Sequence, residues 1–122
     1  MASHPINLAL RFLLELAALF SLGYWGWTQN QGVLRFALGI GLPLLAAVLW
    51  GTFRVPEDAS ASGKAPVPTP GPLRLILELA FFGAAVWALY GAGLGTWATA
   101  LGLLVLLHYI ASYDRIAWLL RR

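Results

Sequence analysis

The pattern Arg-x-x-x-Glu-Leu-Ala occurs twice in this chain, and each copy lies within an otherwise apolar segment of helical length. The copies begin at Arg11 and Arg74. Five further identities keep the same offset and pair Gly32, Ala37, Leu38, Gly39 and Leu44 with Gly95, Ala100, Leu101, Gly102 and Leu107. A charged side chain within a membrane helix costs about 2.5–3.5 kcal/mol on insertion scales, so it usually faces a protein interior and marks a network or a site. The sequence therefore predicts two similar halves. The charged residues of both halves are expected to belong to one network or site.

The composition excludes a soluble domain. Hydrophobic residues make up 60% of the 122 residues and charged residues 11%, with a mean hydropathy of +0.75, whereas about 25% of a soluble domain is charged. Cysteine is absent, which excludes disulfides, thiolate nucleophiles and cysteine-ligated metals. The sequence also contains no phosphate-binding loop, dinucleotide fingerprint or nucleic-acid-binding module. We therefore expect a membrane protein without a cofactor and without a nucleic-acid partner.

Apolar runs divide the chain into four predicted spans. A spanning helix needs about 20 predominantly apolar residues, and the last run is long enough for two helices. Gly91, Gly93 and Gly95 predict a tight turn between those two. The predicted spans are residues 6–28, 33–53, 73–90 and 96–114. The predicted fold is an all-α, polytopic membrane four-helix bundle made of two tandem transmembrane hairpins, which form a parallel internal repeat.

The connector between the hairpins differs sharply in composition from the spans. It ends in Pro66, Pro68, Pro70 and Pro72, an alternation that favours extended polyproline II geometry. Two interpretations are open: a spacer that joins the hairpins, or a docking strip for a partner. The predicted units are a first transmembrane hairpin (1–54), a Pro-rich cytoplasmic linker (55–72), and a second hairpin with a C-terminal interfacial segment (73–122).

The basic residues predict the orientation. Seven of the eight lie near the termini or in the middle loop, and only Arg35 falls on the other side. Because loops rich in Lys and Arg stay cytoplasmic, we expect both termini inside and loops 28–32 and 91–95 outside. A cleavable signal peptide is the rival interpretation of the N-terminal segment. It fits poorly, since Arg11 and Glu15 interrupt the apolar stretch and bulky aromatic residues follow it.

The charged residues within the spans are the candidate site. The first and third spans run in the same direction, which puts Glu15 and Glu78 at similar depth. We expect Arg11 to pair with Glu78 and Arg74 with Glu15. The fourth span returns to this depth at His108, so the predicted polar intramembrane network comprises Arg11, Glu15, Arg74, Glu78 and His108.

Three interpretations of this network remain open. It forms a charge network that joins the two hairpins and fixes their register, a protonatable or ligand-binding cavity, or a metal site. The metal site has the weakest signal, because Glu-x-x-His spacing on one helix is missing. A catalytic triad cannot be assembled either. We therefore expect neither a catalytic residue nor a metal.

Gly39, Gly41 and Pro43 fall in the middle of the second span. Proline removes one backbone hydrogen bond and kinks a helix, and the neighbouring glycines weaken the helix further. The three residues predict either a fixed bend or a hinge.

Three separated motifs carry a resemblance to a known family. They are Arg11-x-x-x-Glu15 on the first helix, Trp50-Gly-Thr-Phe-Arg-Val-Pro56 closing the second, and Pro72-Leu-Arg-x-x-x-Glu78-Leu with Phe-Phe-Gly83 on the third. In this order they resemble the YrdB family of small bacterial membrane proteins, whose function is unknown. The resemblance covers nearly the whole chain and implies a multi-pass protein of the bacterial cytoplasmic (inner) membrane.

Two classes of function follow from these observations. The first is an integral membrane protein of structural or interaction role, without enzymatic activity, whose partners are the lipid bilayer and a second copy or a larger membrane complex. The alternative is a small proton-linked carrier or a binder of an apolar ligand, such as a lipid or quinone, that uses Glu15, Glu78 and His108. A dense cluster of ion pairs favours the first, and a cavity that reaches the glutamates favours the second.

Overall fold

The chain is mostly helical. Its structure, a computed structural model, describes residues 4–29, 31–56 and 66–121. The helices are α1 (Pro5–Thr28), α2 (Val33–Thr52), α3 (Gly71–Gly91), α4 (Gly95–Ala111) and α5 (Tyr113–Leu120), and the short strands are β1 (Phe53–Arg54) and β2 (Val67–Pro68). The bounds of α1, α2 and α3 agree with the predicted spans to within two residues.

Local sequence explains where several helices begin and end. Pro5 starts α1, where the His4 ring accepts a hydrogen bond from the Ile6 backbone N–H at 3.2 Å. Pro72 lies in the first turn of α3, where a missing N–H is tolerated. Gly93 has a φ of 82°, a left-handed conformation that glycine adopts without strain, in the turn between α3 and α4.

Three helices, α1, α2 and α3, are long and apolar enough to cross a membrane. Helices α4 and α5 pass the same test only together, and the chain bends by 70° between them. The fourth predicted span, 96–114, is therefore interrupted. Helix α4 ends at Ala111, Ser112 lies at the bend, and α5 begins at Tyr113.

Helices α1 and α3 form the centre of the packing. Helix α1 contacts α2, α3 and α4, and α3 contacts α1, α4 and α5. The core consists of apolar side chains from α1, α3 and α4: Leu14, Ala18, Phe81, Phe82, Ala85, Leu89, Ala98, Leu101 and Tyr109. Helix α2, all of whose residues the structure describes, contributes no fully buried residue and packs mainly on α1.

Glycines let α1 and α2 approach closely. A Cβ atom at Gly26 would lie 2.6 Å from the Leu38 backbone oxygen, and one at Gly23 would lie 2.9 Å from the Gly39 backbone oxygen. Membrane helices commonly use small residues in this way, because van der Waals contact between backbones replaces the hydrophobic driving force that lipid cannot supply. The α1–α2 hairpin therefore includes close backbone contact at Gly23 and Gly26.

The two ends of the connector between α2 and α3 are joined by a short pair of strands. Strands β1 and β2 pair in parallel, with Phe53 opposite Val67 and Arg54 opposite Pro68, and the Thr69 N–H donates to the Arg54 carbonyl at 2.9 Å. This pairing was not predicted, since the proline alternation indicated only extended geometry. Half of the predicted linker, residues 57–65, lies outside the described residues. The pairing brings the end of α2 beside the start of α3.

Helix α2 runs through the predicted bend without interruption. Gly39 contacts Trp27, and Pro43 lies against Gly23, whereas a Cβ atom at Gly41 would meet nothing within 4 Å. Gly39 and Pro43 are thus packing residues of the α1–α2 contact. A hinge at these positions stays a prediction.

We expect Gly26→Ala to lower the free energy of unfolding by about 1–3 kcal/mol, because the added methyl group forces the α2 backbone to shift. Gly41→Ala is the matched control. Its methyl group enters open space, and alanine favours a helix over glycine by up to about 1 kcal/mol. Denaturant titration of both variants in detergent micelles measures the difference. Equal stabilities for the two variants would contradict the close α1–α2 contact.

Candidate functional site

The Glu78 carboxylate is the centre of the candidate site. Its side chain is fully buried on α3. One oxygen, Oε2, accepts a hydrogen bond from Arg74 Nε at 3.0 Å and another from Arg115 Nη2, and it lies 3.0 Å from Arg11 Nη2 in an ion pair. The other oxygen, Oε1, accepts a hydrogen bond from the Tyr109 hydroxyl at 2.7 Å. These five residues, which come from α1, α3, α4 and α5, are called the Glu78 cluster below.

Arg74 also binds the end of α2. Its Nη1 donates to the backbone carbonyls of Trp50 at 2.6 Å and Phe53 at 2.8 Å. The last carbonyls of a helix have no partner within that helix, and a cation near them is favourable. The β1–β2 pairing brings this helix end within reach of α3. Arg74 therefore connects α2, which carries no charge of its own here, to the Glu78 cluster.

Arg11 connects the two glutamates. Its Nε lies 3.2 Å from Glu15 Oε1, one turn along α1, while Nη2 reaches Glu78. The expected pairing of Arg11 with Glu78 is thus formed. The other crossed pair is not: within the described residues, Arg74 forms its ion pair with Glu78 on its own helix and none with Glu15. Glu15 keeps 18% of its side chain exposed and lies at the edge of the cluster.

The Trp50 indole lies beside two of the arginines. The guanidinium carbons of Arg74 and Arg11 are 4.2 Å and 5.3 Å from its ring centroid, and the ring also packs against Phe81 at 4.7 Å. Cation–π contacts of this kind are worth about 2 kcal/mol where water is excluded. The ring offsets part of the repulsion between two guanidinium groups that share one carboxylate.

His108 does not contact either glutamate directly. Its Nδ1 lies 3.1 Å from Asn7 Oδ1, and Asn7 Nδ2 donates to Ser112 Oγ at 2.7 Å. An amide oxygen can only accept, so Nδ1 is the donor in this hydrogen bond. Within the described residues, Nε2 is buried without a hydrogen-bond partner. His108 therefore belongs to a neighbouring polar triad that joins the start of α1 to the end of α4.

Sequence reasoning missed Arg115 and Trp50 as site residues. Arg115 falls in the predicted C-terminal interfacial segment, yet this residue is only 6% exposed. The reason is the bend at Ser112, which turns α5 back toward α3. A serine two residues before Asp114 is a typical helix start, and this pattern could have located the bend. Trp50 begins the motif that closes the second span, but its contact with two arginines depends on tertiary packing.

Four groups of the protein already surround the Glu78 carboxylate. Three guanidinium groups face Oε2, and the Tyr109 hydroxyl donates to Oε1. Within the described ranges, no group of three or more His, Asp or Glu side chains is arranged to hold a metal ion. The arrangement can hold four helices together through one buried charge.

Among the described residues, two apolar grooves lie away from the Glu78 cluster. A groove of about 620 Å³ follows α1 and α4 from Leu10 to Trp97. A second, of about 410 Å³, lies between α1 and α2 beside Pro43. Neither groove is lined by Glu15, Glu78 or His108.

We expect Glu78→Gln to lower the free energy of unfolding by about 3–5 kcal/mol, because it leaves three buried guanidinium groups without their shared anion. Glu15→Gln is the matched control, since Arg11 keeps Glu78 as its partner. Its expected loss is about 1 kcal/mol, the range of a partly exposed ion pair. Denaturant titration in detergent measures both losses.

A double-mutant cycle isolates the pair that joins α1 to α3. Arg11→Gln and Glu78→Gln lie in one network, so their losses are expected to be non-additive by at least about 1 kcal/mol. A coupling energy of zero for this pair would show that Arg11 and Glu78 do not interact.

Comparisons with known proteins agree with the resemblance seen in the motifs. A family model described as "Protein of unknown function (DUF2568)" matches residues 9–106. The uncharacterized protein YrdB of Bacillus subtilis (strain 168) is 42% identical over 116 residues, which cover 95% of this chain and 94% of that protein. No solved structure is significantly similar. The match extends over nearly the whole chain, and this protein therefore belongs to the YrdB family, whose function is unknown.

Proposed function

We propose that this protein is a four-span integral protein of the bacterial cytoplasmic membrane, with both termini inside, and that the Glu78 cluster fixes the mutual register of its helices. The observation that carries the proposal is the burial of Glu78, which is 0% exposed and is held by groups from four helices. The fourth span is α4 with its bend into α5. The role is structural, without catalysis.

The energetics of buried charges support a role of the Glu78 cluster in fixing the register of the helices. Desolvating an ion pair offsets much of its Coulombic gain, so such a pair adds little net stability over an apolar contact. Losing one partner is costly, however, and a shifted helix would lose a partner. A helix moved by one turn, about 5.4 Å, would take its arginine out of reach of Glu78. The cluster therefore favours one alignment among otherwise similar apolar packings.

Transport through the cluster is less favoured by the geometry. A proton-linked carrier exposes its carboxylates to one side of the membrane and then the other. Glu78 has four protein groups around its oxygens, and neither groove includes it. The 620 Å³ groove supports a second candidate, a binder of a lipid or quinone tail. In that function Glu15, Glu78 and His108 would take no direct part.

The exposed apolar faces support the lipid bilayer as the partner. Helix α2 exposes large side chains along its length, among them Phe36, Ile40, Leu44 and Val48. Such a surface is unfavourable in water and is typical of a helix that faces hydrocarbon. The asymmetry of the basic residues in the sequence sets the direction of insertion.

Topology can be tested by labelling single cysteines, since the chain has none of its own. A cysteine at Gln31 is expected to react with an impermeant maleimide from outside the cell. A cysteine at Lys64 is expected to react only after the cells are opened, because its loop lies on the basic, cytoplasmic side. Reaction of position 64 in intact cells would overturn the orientation.

The structural role predicts that Glu78 stays ionised when pH changes moderately, because three guanidinium groups surround it. Infrared difference spectra between about pH 5.5 and 8, the range in which a normal histidine titrates, are expected to lack a protonated carboxylic acid band that Glu78→Gln removes. Glu15→Gln serves as the control for assigning any carboxylic band. A band that disappears only in Glu78→Gln would support proton transport instead.

A further inference from the structure

One face of helix α5 packs against the rest of the protein. Arg115 donates to Glu78, and Leu119 is 0% exposed against the first turn of α3. A Cβ atom at Gly71 would lie 1.6 Å from the Leu119 backbone oxygen, so any larger residue there would push α5 away. This face therefore contacts both Glu78 and the first turn of α3.

The opposite face of α5 is apolar and exposed. Tyr113 and Leu120 are 71% and 59% exposed, and Ala117 lies between them. Positions i, i+4 and i+7 share one face of a helix, so these three residues form a continuous strip. Tyrosine at its edge is typical of the headgroup zone of a membrane.

The direction and charge of α5 fit a lipid surface. The chain bends by 70° between α4 and α5, so if α4 crosses the membrane, α5 lies close to the membrane plane. Arg121 is exposed at its end, and Arg122 follows in the sequence. A short amphipathic helix with basic residues at its end complements anionic headgroups.

We propose that the strip of Tyr113, Ala117 and Leu120 docks into an anionic lipid surface, and that this contact holds α5 closed over the Glu78 cluster. The inference rests on the proposed membrane topology. It adds a specific partner, the anionic headgroups of the cytoplasmic leaflet, and a role for α5 as the cover that separates Glu78 from water. The charge of Arg121 distinguishes this partner from a neutral lipid surface.

Three single-cysteine variants in lipid nanodiscs test the docking. Leu120→Cys probes the strip. Val67→Cys, on the connector and 43% exposed, is the water-facing reference, and Leu44→Cys, on α2 and 62% exposed, is the lipid-facing reference. In discs of phosphatidylcholine with about 30% phosphatidylglycerol, a water-soluble maleimide is expected to label position 120 about tenfold more slowly than position 67.

Adding Arg121→Gln to the Leu120→Cys variant tests the charge. In anionic discs the labelling of position 120 is expected to become about fivefold faster, and in phosphatidylcholine discs it is expected not to change. Insensitivity to Arg121→Gln in both kinds of disc would overturn the anionic partner. Protection that appears only in discs holding two copies would assign the strip to a second copy instead.

The two reference positions separate this inference from the proposed function. Fast labelling of position 120 with position 44 protected would overturn the docking and leave the membrane topology intact. Fast labelling of all three positions would overturn the topology itself.

The covering role is tested at Ser112, which is 0% exposed. Ser112→Cys is expected to label about tenfold faster when Gly71→Ala displaces α5, whereas Gly83→Ala, whose methyl group meets nothing within 4 Å, leaves the rate unchanged. Arg115→Gln, which releases α5 without a steric clash, is expected to act in the same direction. Unchanged rates in the Gly71→Ala and Arg115→Gln backgrounds would show that α5 does not cover the cluster.

Discussion

The sharing of one buried carboxylate by three guanidinium groups is the interaction on which the packing of this protein depends. Three cations around one anion would repel each other strongly in a medium of low dielectric. The structure offsets the excess locally: Glu15 faces Arg11, the carbonyls at the end of α2 face Arg74, and the Trp50 ring lies beside both arginines. Glu15 lies on α1, and the other compensating groups lie at or just after the end of α2, so the cluster forms only when α1, α2 and α3 are correctly arranged.

The two sequence copies produce unequal sites, and the sequence already contains the reason. Glu78 is surrounded because α4 and α5 supply Tyr109 and Arg115. At the corresponding offset in the first half, the chain has Ala46 and Thr52, which carry neither a phenol nor a charge. Glu15 therefore has only Arg11 as an ion-pair partner within the described residues. The repeat specifies two similar helices. The residues that follow each copy differ, and this difference makes Glu78 the centre of the cluster.

Features set by local sequence were predictable, whereas those set by distant contacts were not. Apolar length fixed the bounds of three helices, proline fixed the start of α3, and Gly93 fixed the turn before α4. The pairing of Arg11 with Glu78 followed from helix direction and depth. The contact of Arg74 with two carbonyls did not, because it requires the unpredicted β1–β2 pairing. His108 was expected beside the glutamates, but depth alone does not fix the rotation of α4, and the ring faces Asn7.

The contacts that hold α2 against α1 and α3 bear on whether Pro43 produces a fixed bend or a hinge. Near its start, Arg35 donates to the Trp27 carbonyl at 3.0 Å and lies 4.9 Å over the Trp27 ring. At its end, Arg74 holds two carbonyls. Between these points the backbone of α2 lies against Gly23 and Gly26. A rotation about Pro43 would break either the contact with Gly23 and Gly26 or the contacts at one end of α2. The opposite face of α2 is exposed and offers no contact that would replace them. These contacts restrain α2 on both sides of Pro43, and the choice between a fixed bend and a hinge stays a prediction.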